Sequence, residues 1–140
     1  MSFIVGIDEA GRGPLAGPVA VGAVILQSDF DKRILRGVRD SKQLSAEERE
    51  LWFEMAKELK REGHINFTVS LVSERIIDKK GIAYAIRLGI RRCLKKLNVS
   101  ESDAQVFLDG GIKAPDRFVH QLTVVRGDEK IPVISLASIC

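Results

Sequence analysis

The chain has 140 residues, 45% hydrophobic and 29% charged, the balance of a soluble globular protein, and it reads as one domain over residues 1–140. Its net charge of +3 is a mild bias, compatible with a polyanionic partner. Two cysteines without metal-ligand spacing, Cys93 and Cys140, exclude a disulfide framework and predict a cytoplasmic setting, and the longest apolar run, residues 19–26, is too short to span a membrane.

The N-terminus has neither a basic n-region nor a long apolar h-region, so no signal peptide is expected. Residues 3–8 read as a buried strand, and residues 18–26 as a second one after a Gly- and Pro-rich turn. The short link predicts an antiparallel pair. A polar connection over residues 27–44 leads to Ser45, whose spacing to Glu48 is that of a capping box. The helix it starts carries Leu51, Trp52, Met55, Ala56 and Leu59 on one face, and Gly63 ends it. Residues 65–72 alternate as a third strand, with Ile65, Phe67, Val69 and Leu71 against Asn66, Thr68 and Ser70. Ser73 is placed to cap a short turn. Ile82, Ala83, Ile86, Ile90, Cys93, Leu94 and Leu97 mark a long amphipathic helix. Residues 106–109 form a short apolar strand ending in Asp109 and two glycines. Residues 122–125 are another β-rich run, and residues 133–140 resemble the start of a buried helix. The order predicts an α/β fold, a mixed sheet with antiparallel hairpin strands, parallel strands and helices on its faces.

The chemistry concentrates in residues 5–14, VGIDEAGRGP. An apolar strand delivers Asp8 and Glu9 to its end, and Asp109 repeats the pattern of strand, carboxylate and glycine. One aspartate at a strand end is commonly a turn former. Three carboxylates converging in such a sheet repel one another unless a cation neutralises them. With no soft ligand nearby, the hard ions Mg²⁺ or Mn²⁺ suit them, and two ions suit in-line displacement at phosphorus. Gly11, Arg12 and Gly13 allow close backbone approach to an anion beside a planar guanidinium. Lys42, just ahead of the helix cap, is either part of a polar loop or a phosphate contact. His64 and His120 sit in no zinc-like cluster, and Trp52 and Tyr84 read as core. The clusters Lys79-Lys80, Arg91-Arg92 and Lys95-Lys96 read as solvated helix faces with a weak, salt-dependent pull on nucleic acid.

These residues together resemble the type 2 ribonuclease H family, ribonuclease HII. Residues 8–19 match the family's opening Asp-Glu-Ala-Gly-Arg-Gly-Pro-Leu-Ala-Gly-Pro-Val run, and residues 40–45 match its Asp-Ser-Lys-x-Leu-Ser element. Further matches are the acidic strand at residues 106–110, the Gly-Asp-x-Lys stretch at 127–130 and Ala-Ser-Ile at 137–139. The resemblance implies an RNase H-like fold and endonucleolytic cleavage of RNA in RNA/DNA hybrids and at ribonucleotides embedded in duplex DNA. Products would carry 5′-phosphate and 3′-hydroxyl ends. It implies Asp8, Glu9 and Asp109 as metal ligands and catalytic acids. It also implies Gly11, Arg12 and Gly13 as the loop sensing the 2′-hydroxyl, and Lys42 as a backbone-phosphate contact. Family members continue past Ala-Ser-Ile into Ala-Lys-Val-x-Arg-Asp, whose aspartate is a fourth active-site carboxylate, and then to a tyrosine that stacks at the junction. The chain stops at Cys140. The expectation is therefore a fold incomplete at its C-terminal helical part and weak or no activity of the isolated chain. Two other readings stand beside it: a non-catalytic module that binds RNA/DNA junctions, and a relative of sugar kinases or ATPases on the same broad fold.

Overall fold

The computed structural model describes residues 2–10, 17–30, 45–109 and 112–124. Strand β1 (Phe3–Ala10) and strand β2 (Val19–Gln27) pair antiparallel, with Phe3 opposite Gln27 and Ala10 opposite Ala20. Helix α1 (Ala46–Arg61) follows, and β3 (Ile65–Val72) pairs antiparallel with the far edge of β2. Helices α2 (Glu74–Lys80) and α3 (Ile82–Lys96) lead to β4 (Ala104–Asp109), which runs parallel to β1. Strand β5 (Gln121–Val124) runs parallel to β4, giving the order β3-β2-β1-β4-β5. This is the expected mixed sheet, with a strand more central than its position in sequence reveals: β1 lies between β2 and β4.

Helix α1 begins as its sequence predicts. The Ser45 hydroxyl accepts from the Glu48 amide at 3.0 Å, and Glu48 Oε1 accepts from the Ser45 amide at 3.3 Å. It ends at Gly63, whose φ of 82° is the left-handed conformation that glycine adopts without strain. There the Gly63 amide donates to Lys60 and the His64 amide to Leu59, which satisfies two terminal carbonyls. Helix α3 closes by the same device with Asn98, at φ 54°, in the left-handed position.

The sheet buries both faces. On one, Val5, Ile7, Val19, Val21, Val106 and Leu108 pack against Ile86, Ile90, Cys93 and Leu94 of α3. On the other, Val24, Leu26 and Ile65 pack against Ala56 of α1, with Trp52, Met55 and Leu59 partly buried beside them. Four apolar assignments change accordingly. Leu51 is 70% exposed, because at about 100° per residue it falls on the flank of the Trp52, Met55, Ala56 and Leu59 face. Ile82 and Ala83 are exposed at the start of α3, ahead of the residues that meet the sheet. In β3, Ile65 is buried on the α1 side, but Ser70 and Val72 are buried while Leu71 is 64% exposed. Val72 belongs to the α3-side core and Ser70 Oγ lies 3.5 Å from Cys93 Sγ, so the burial changes face along the strand. The expected turn after Ser73 is the seven-residue helix α2, which has no buried residue and no side-chain cap.

Strand β3 is one edge of the described sheet, and its outer carbonyls are covered by cations. Phe67 O accepts from Lys60 Nζ at 3.1 Å, Val69 O from Lys96 Nζ at 3.1 Å and Leu71 O from Arg92 at 3.5 Å. Such basic cover blunts edge-to-edge pairing with another chain. Among the described residues, no helix is long and apolar enough to cross a membrane.

Helix α3 sits on β2 through Gly89. A Cβ built there would lie 2.5 Å from Val21 Cγ2 and 3.0 Å from Val21 Cβ. Gly89→Ala is therefore expected to cost about 1–3 kcal/mol of stability by overpacking, read as a lower urea midpoint. Adding Val21→Ala should leave the double variant less destabilised than the two single losses summed. A wild-type midpoint for Gly89→Ala would refute the close helix–sheet approach.

Candidate metal centre

The parallel β1–β4 register runs from Phe3 beside Ala104 to Ile7 beside Leu108. One step further brings Asp8 abreast of Asp109 at the C-terminal ends of both strands. Alternation sends both side chains to the α1 face of the sheet, away from Ile7 and Leu108, which belong to the α3-side core. On the other edge of β1, Asp8 lies opposite Gly22, which has no side chain to fill the space over the carboxylate.

Asp8 is 7% exposed. The Glu9 amide donates to its Oδ1 at 2.9 Å. Burial is the main reason that its pKa is pushed up to about 8, and the charge of Asp109 is the next. The Glu9 charge and a hydrogen bond with Asp109 add to the rise, while the Glu9 amide opposes it. Asp8 therefore keeps its proton at neutral pH unless a cation replaces it.

Glu9 follows Asp8 on the same strand, so alternation directs its side chain to the opposite face. Its charge still acts on Asp8. Among the described residues, no three His, Cys, Asp or Glu side chains gather closely enough to hold a metal ion. The structure brings two of the sequence-predicted acids together and leaves Glu9 alongside them. Gly11, Arg12, Gly13 and Lys42 lie outside the described residues. The donor set fits a hard divalent cation: Asp8 and Asp109 present carboxylate oxygens only, and burial makes their shared charge costly without a positive partner.

Sequence reasoning missed the residues that brace Asp109 from behind. Val124 of β5 lies beside Asp109 in the ladder. The Gln121 carboxamide accepts from the Ala114 amide at 2.9 Å and donates to the carbonyls of Ala114, Pro115 and Phe118. Thr123 Oγ1 donates to the Ile112 carbonyl at 3.1 Å. Together they tie the returning segment 112–118 to β5. A polar residue in a short strand gives no local signal of such a role, because its partners lie upstream in a loop.

The remaining candidates are structural. His64 is exposed, 3.3 Å from a Glu62 carboxylate oxygen. Cys93 is buried, its thiol donates to the Val21 carbonyl at 3.2 Å, and burial pushes its pKa up, which makes it a poor nucleophile. Trp52 is part of the core beside α1, as expected.

Comparison with known proteins fits this geometry. The sequence model of the family described as "Ribonuclease HII" matches residues 5–140. A protein named ribonuclease HII from Caldicellulosiruptor bescii is 39% identical over 98% of the chain. The chain spans 62% of that protein's length, and less than two thirds of the first curated relatives it matches. Among solved structures, ribonuclease H2 from Pyrococcus horikoshii OT3 superposes with a TM-score of 0.70 at 27% identity, covering 98% of this chain and 69% of that one. Bst-RNase HIII in complex with Mn²⁺ superposes with a TM-score of 0.69 over 99% of this chain and 50% of that one. At 19% identity it is a likeness of fold alone.

The raised pKa of Asp8 fixes the sign of a pH effect. Between 3.8 and about 8 the folded protein holds a proton that the unfolded chain has released. Stability is thus greatest below the unfolded value and falls as pH rises through the folded one. In metal-free buffer, urea midpoints should decline across this window, and Asp8→Asn should flatten the decline. A midpoint that climbs through the window in the parent protein would contradict the buried acid pair.

Proposed function

The chain belongs to the ribonuclease HII family, and on that premise we propose that it carries the carboxylate centre of a metal-dependent endonuclease. Its substrates are the RNA strand of RNA/DNA hybrids and single ribonucleotides embedded in duplex DNA, cut to leave 5′-phosphate and 3′-hydroxyl ends in the cytoplasm. The observation that carries this reading is the buried meeting of Asp8 and Asp109 at adjacent parallel strand ends. Two acids held so close, with oxygen donors only, suit Mg²⁺ or Mn²⁺. The Mn²⁺ complex of Bst-RNase HIII, a protein of similar fold, supports that choice.

A bound divalent ion supplies charge stabilisation at the scissile phosphate and lowers the pKa of water. The chain's own groups do the rest. Asp8 and Asp109 would hold the ion between β1 and β4, with Asp8 in its ionised form. Glu9 adds a third acid from the end of β1. Gly11 and Gly13 let the backbone approach the sugar, where Arg12 reads the 2′-hydroxyl that distinguishes RNA from DNA. Lys42 holds a backbone phosphate and fixes the register of the strand.

The test is a duplex containing one ribonucleotide, incubated with Mg²⁺ or Mn²⁺. Cleavage at the ribonucleotide is expected, and Asp109→Asn should reduce the rate by at least about 100-fold, since a metal-borne charge contribution is worth several kcal/mol. Junction binding without turnover in either metal would replace the enzyme by a binding module, and equal attack on plain DNA would refute the specificity. Arg12→Ala should weaken binding to the junction duplex more than to an all-DNA duplex. An equal loss on both would make Arg12 a phosphate contact only.

A further inference from the structure

A groove runs along α3 on the side of the sheet opposite the Asp8–Asp109 pair. Its second wall is the segment 112–118 that Gln121 ties to β5. It consists of two adjoining hollows of about 420 and 330 Å³ that share Arg91 as a wall. Within the pairs Arg91-Arg92 and Lys95-Lys96, the second members Arg92 and Lys96 reach the edge of β3, where they cover carbonyls. Arg91 and Lys95 line the groove with Arg87, and Arg92 also borders its larger hollow. Arg87, Arg91 and Lys95 are exposed and recur every four residues, about 6 Å apart along the helix.

The acids in the groove are already matched. Lys113 pairs with Asp116 at 3.0 Å and Arg117 with Glu101 at 3.0 Å. Among the described residues no carboxylate pairs with Arg87, Arg91 or Lys95, so the groove keeps an uncompensated positive row. The half-buried Tyr84 forms an aromatic wall at one end, with Lys80 Nζ 5.9 Å from its ring centroid.

We propose that this groove is a second nucleic-acid site, which holds a short single-stranded segment away from the carboxylate centre. A cationic row with an aromatic wall is the arrangement that tracks a phosphate backbone and meets a base. Arginine predominates in the row, and guanidinium forks suit phosphate oxygens. An acidic protein helix fits less well. Such a partner needs deep apolar sockets, and of the groove's apolar lining Leu94 and Phe118 are each 2% exposed while Leu88 and Val99 are partly buried against the core. The site needs no metal and no hydrolysis, so it stands whether or not the carboxylate centre cuts RNA.

The test is fluorescence anisotropy of a labelled twelve-nucleotide thymidine strand with the protein in metal-free buffer, titrated with salt. The parent protein binds, and Arg91→Ala/Lys95→Ala weakens binding about tenfold. It also reduces the slope of log affinity against log salt by about 1.4, the value for two single-strand phosphate contacts. Asp8→Asn leaves both unchanged. Both altered positions are exposed, so the melting temperature stays at the parent value. Absence of binding by the parent, or an unchanged slope in the double variant, overturns the site. An equal loss in Lys57→Ala/Lys60→Ala on α1 overturns it in favour of net charge alone. Displacement of the strand by polyglutamate at matched charge concentration overturns it in favour of an acidic protein surface.

Discussion

The parallel pairing of β1 with β4 is the constraint on which the rest depends, because it sets two carboxylates side by side where water is scarce. Two unit charges about 4 Å apart at an effective dielectric near 20 repel by roughly 4 kcal/mol. That is a large part of the net stability of an ordinary domain, about 5–15 kcal/mol. The rise of the Asp8 pKa to about 8 is the protein's answer without a cation: one proton stays and the repulsion lapses. The same geometry makes the pair receptive, since whatever positive charge enters displaces a proton and relieves both acids together. Stability and ligand affinity here are opposite readings of one electrostatic term.

Packing makes that pairing possible. The α3 side of the sheet is filled by branched side chains and a helix that approaches β2 only because residue 89 has no Cβ. A thoroughly buried face fixes strand register, since a slip of one residue would turn Val5, Ile7, Val106 and Leu108 outward and the acids inward. On the α1 side, glycines face the site: Gly22 lies opposite Asp8, and Gly6 beside Phe107. One face supplies the registry and the other supplies the room. Gln121 and Thr123 extend this division, holding the return segment against the packed face while β5 supports Asp109 along the ladder.

Features set by near neighbours were legible in the sequence. The Ser45–Glu48 capping box, the stop at Gly63 and the span of β3 depend on residues a few positions apart, and each is found. Features set by reach across the fold were not. Periodicity marks an apolar stripe but not how far the opposing surface extends, so Leu51 and Leu71 look like core and are exposed. Helix α2 was hidden because it is short, has no fully buried residue and its cap makes no side-chain bond. In the site, the likeness of the two strand ends pointed to Asp8 and Asp109. Asp8 and Glu9 are strand neighbours whose side chains leave opposite faces, so adjacency alone does not bring them to one point, although the Glu9 charge acts on Asp8. Gln121 escaped notice because its four hydrogen bonds all reach back across a loop.

The mild net charge of +3 conceals a strong separation of sign. The acid pair sits on the α1 face, and the row of Arg87, Arg91 and Lys95 lies beyond the sheet on α3. An α-helix with its side chains is about 10 Å across, comparable to the Debye length of about 8 Å at physiological salt. Exposed cations at that remove do little for a buried carboxylate. Among the described residues, burial, Asp109 and Glu9 set the pKa of Asp8, and no lysine or arginine does. The two regions therefore act as independent electrostatic sites, and the basic row cannot serve as the internal counter-charge of the acid pair. Among the described residues no side chain neutralises Asp8, so there its balance comes from a proton or from a cation that the pair receives.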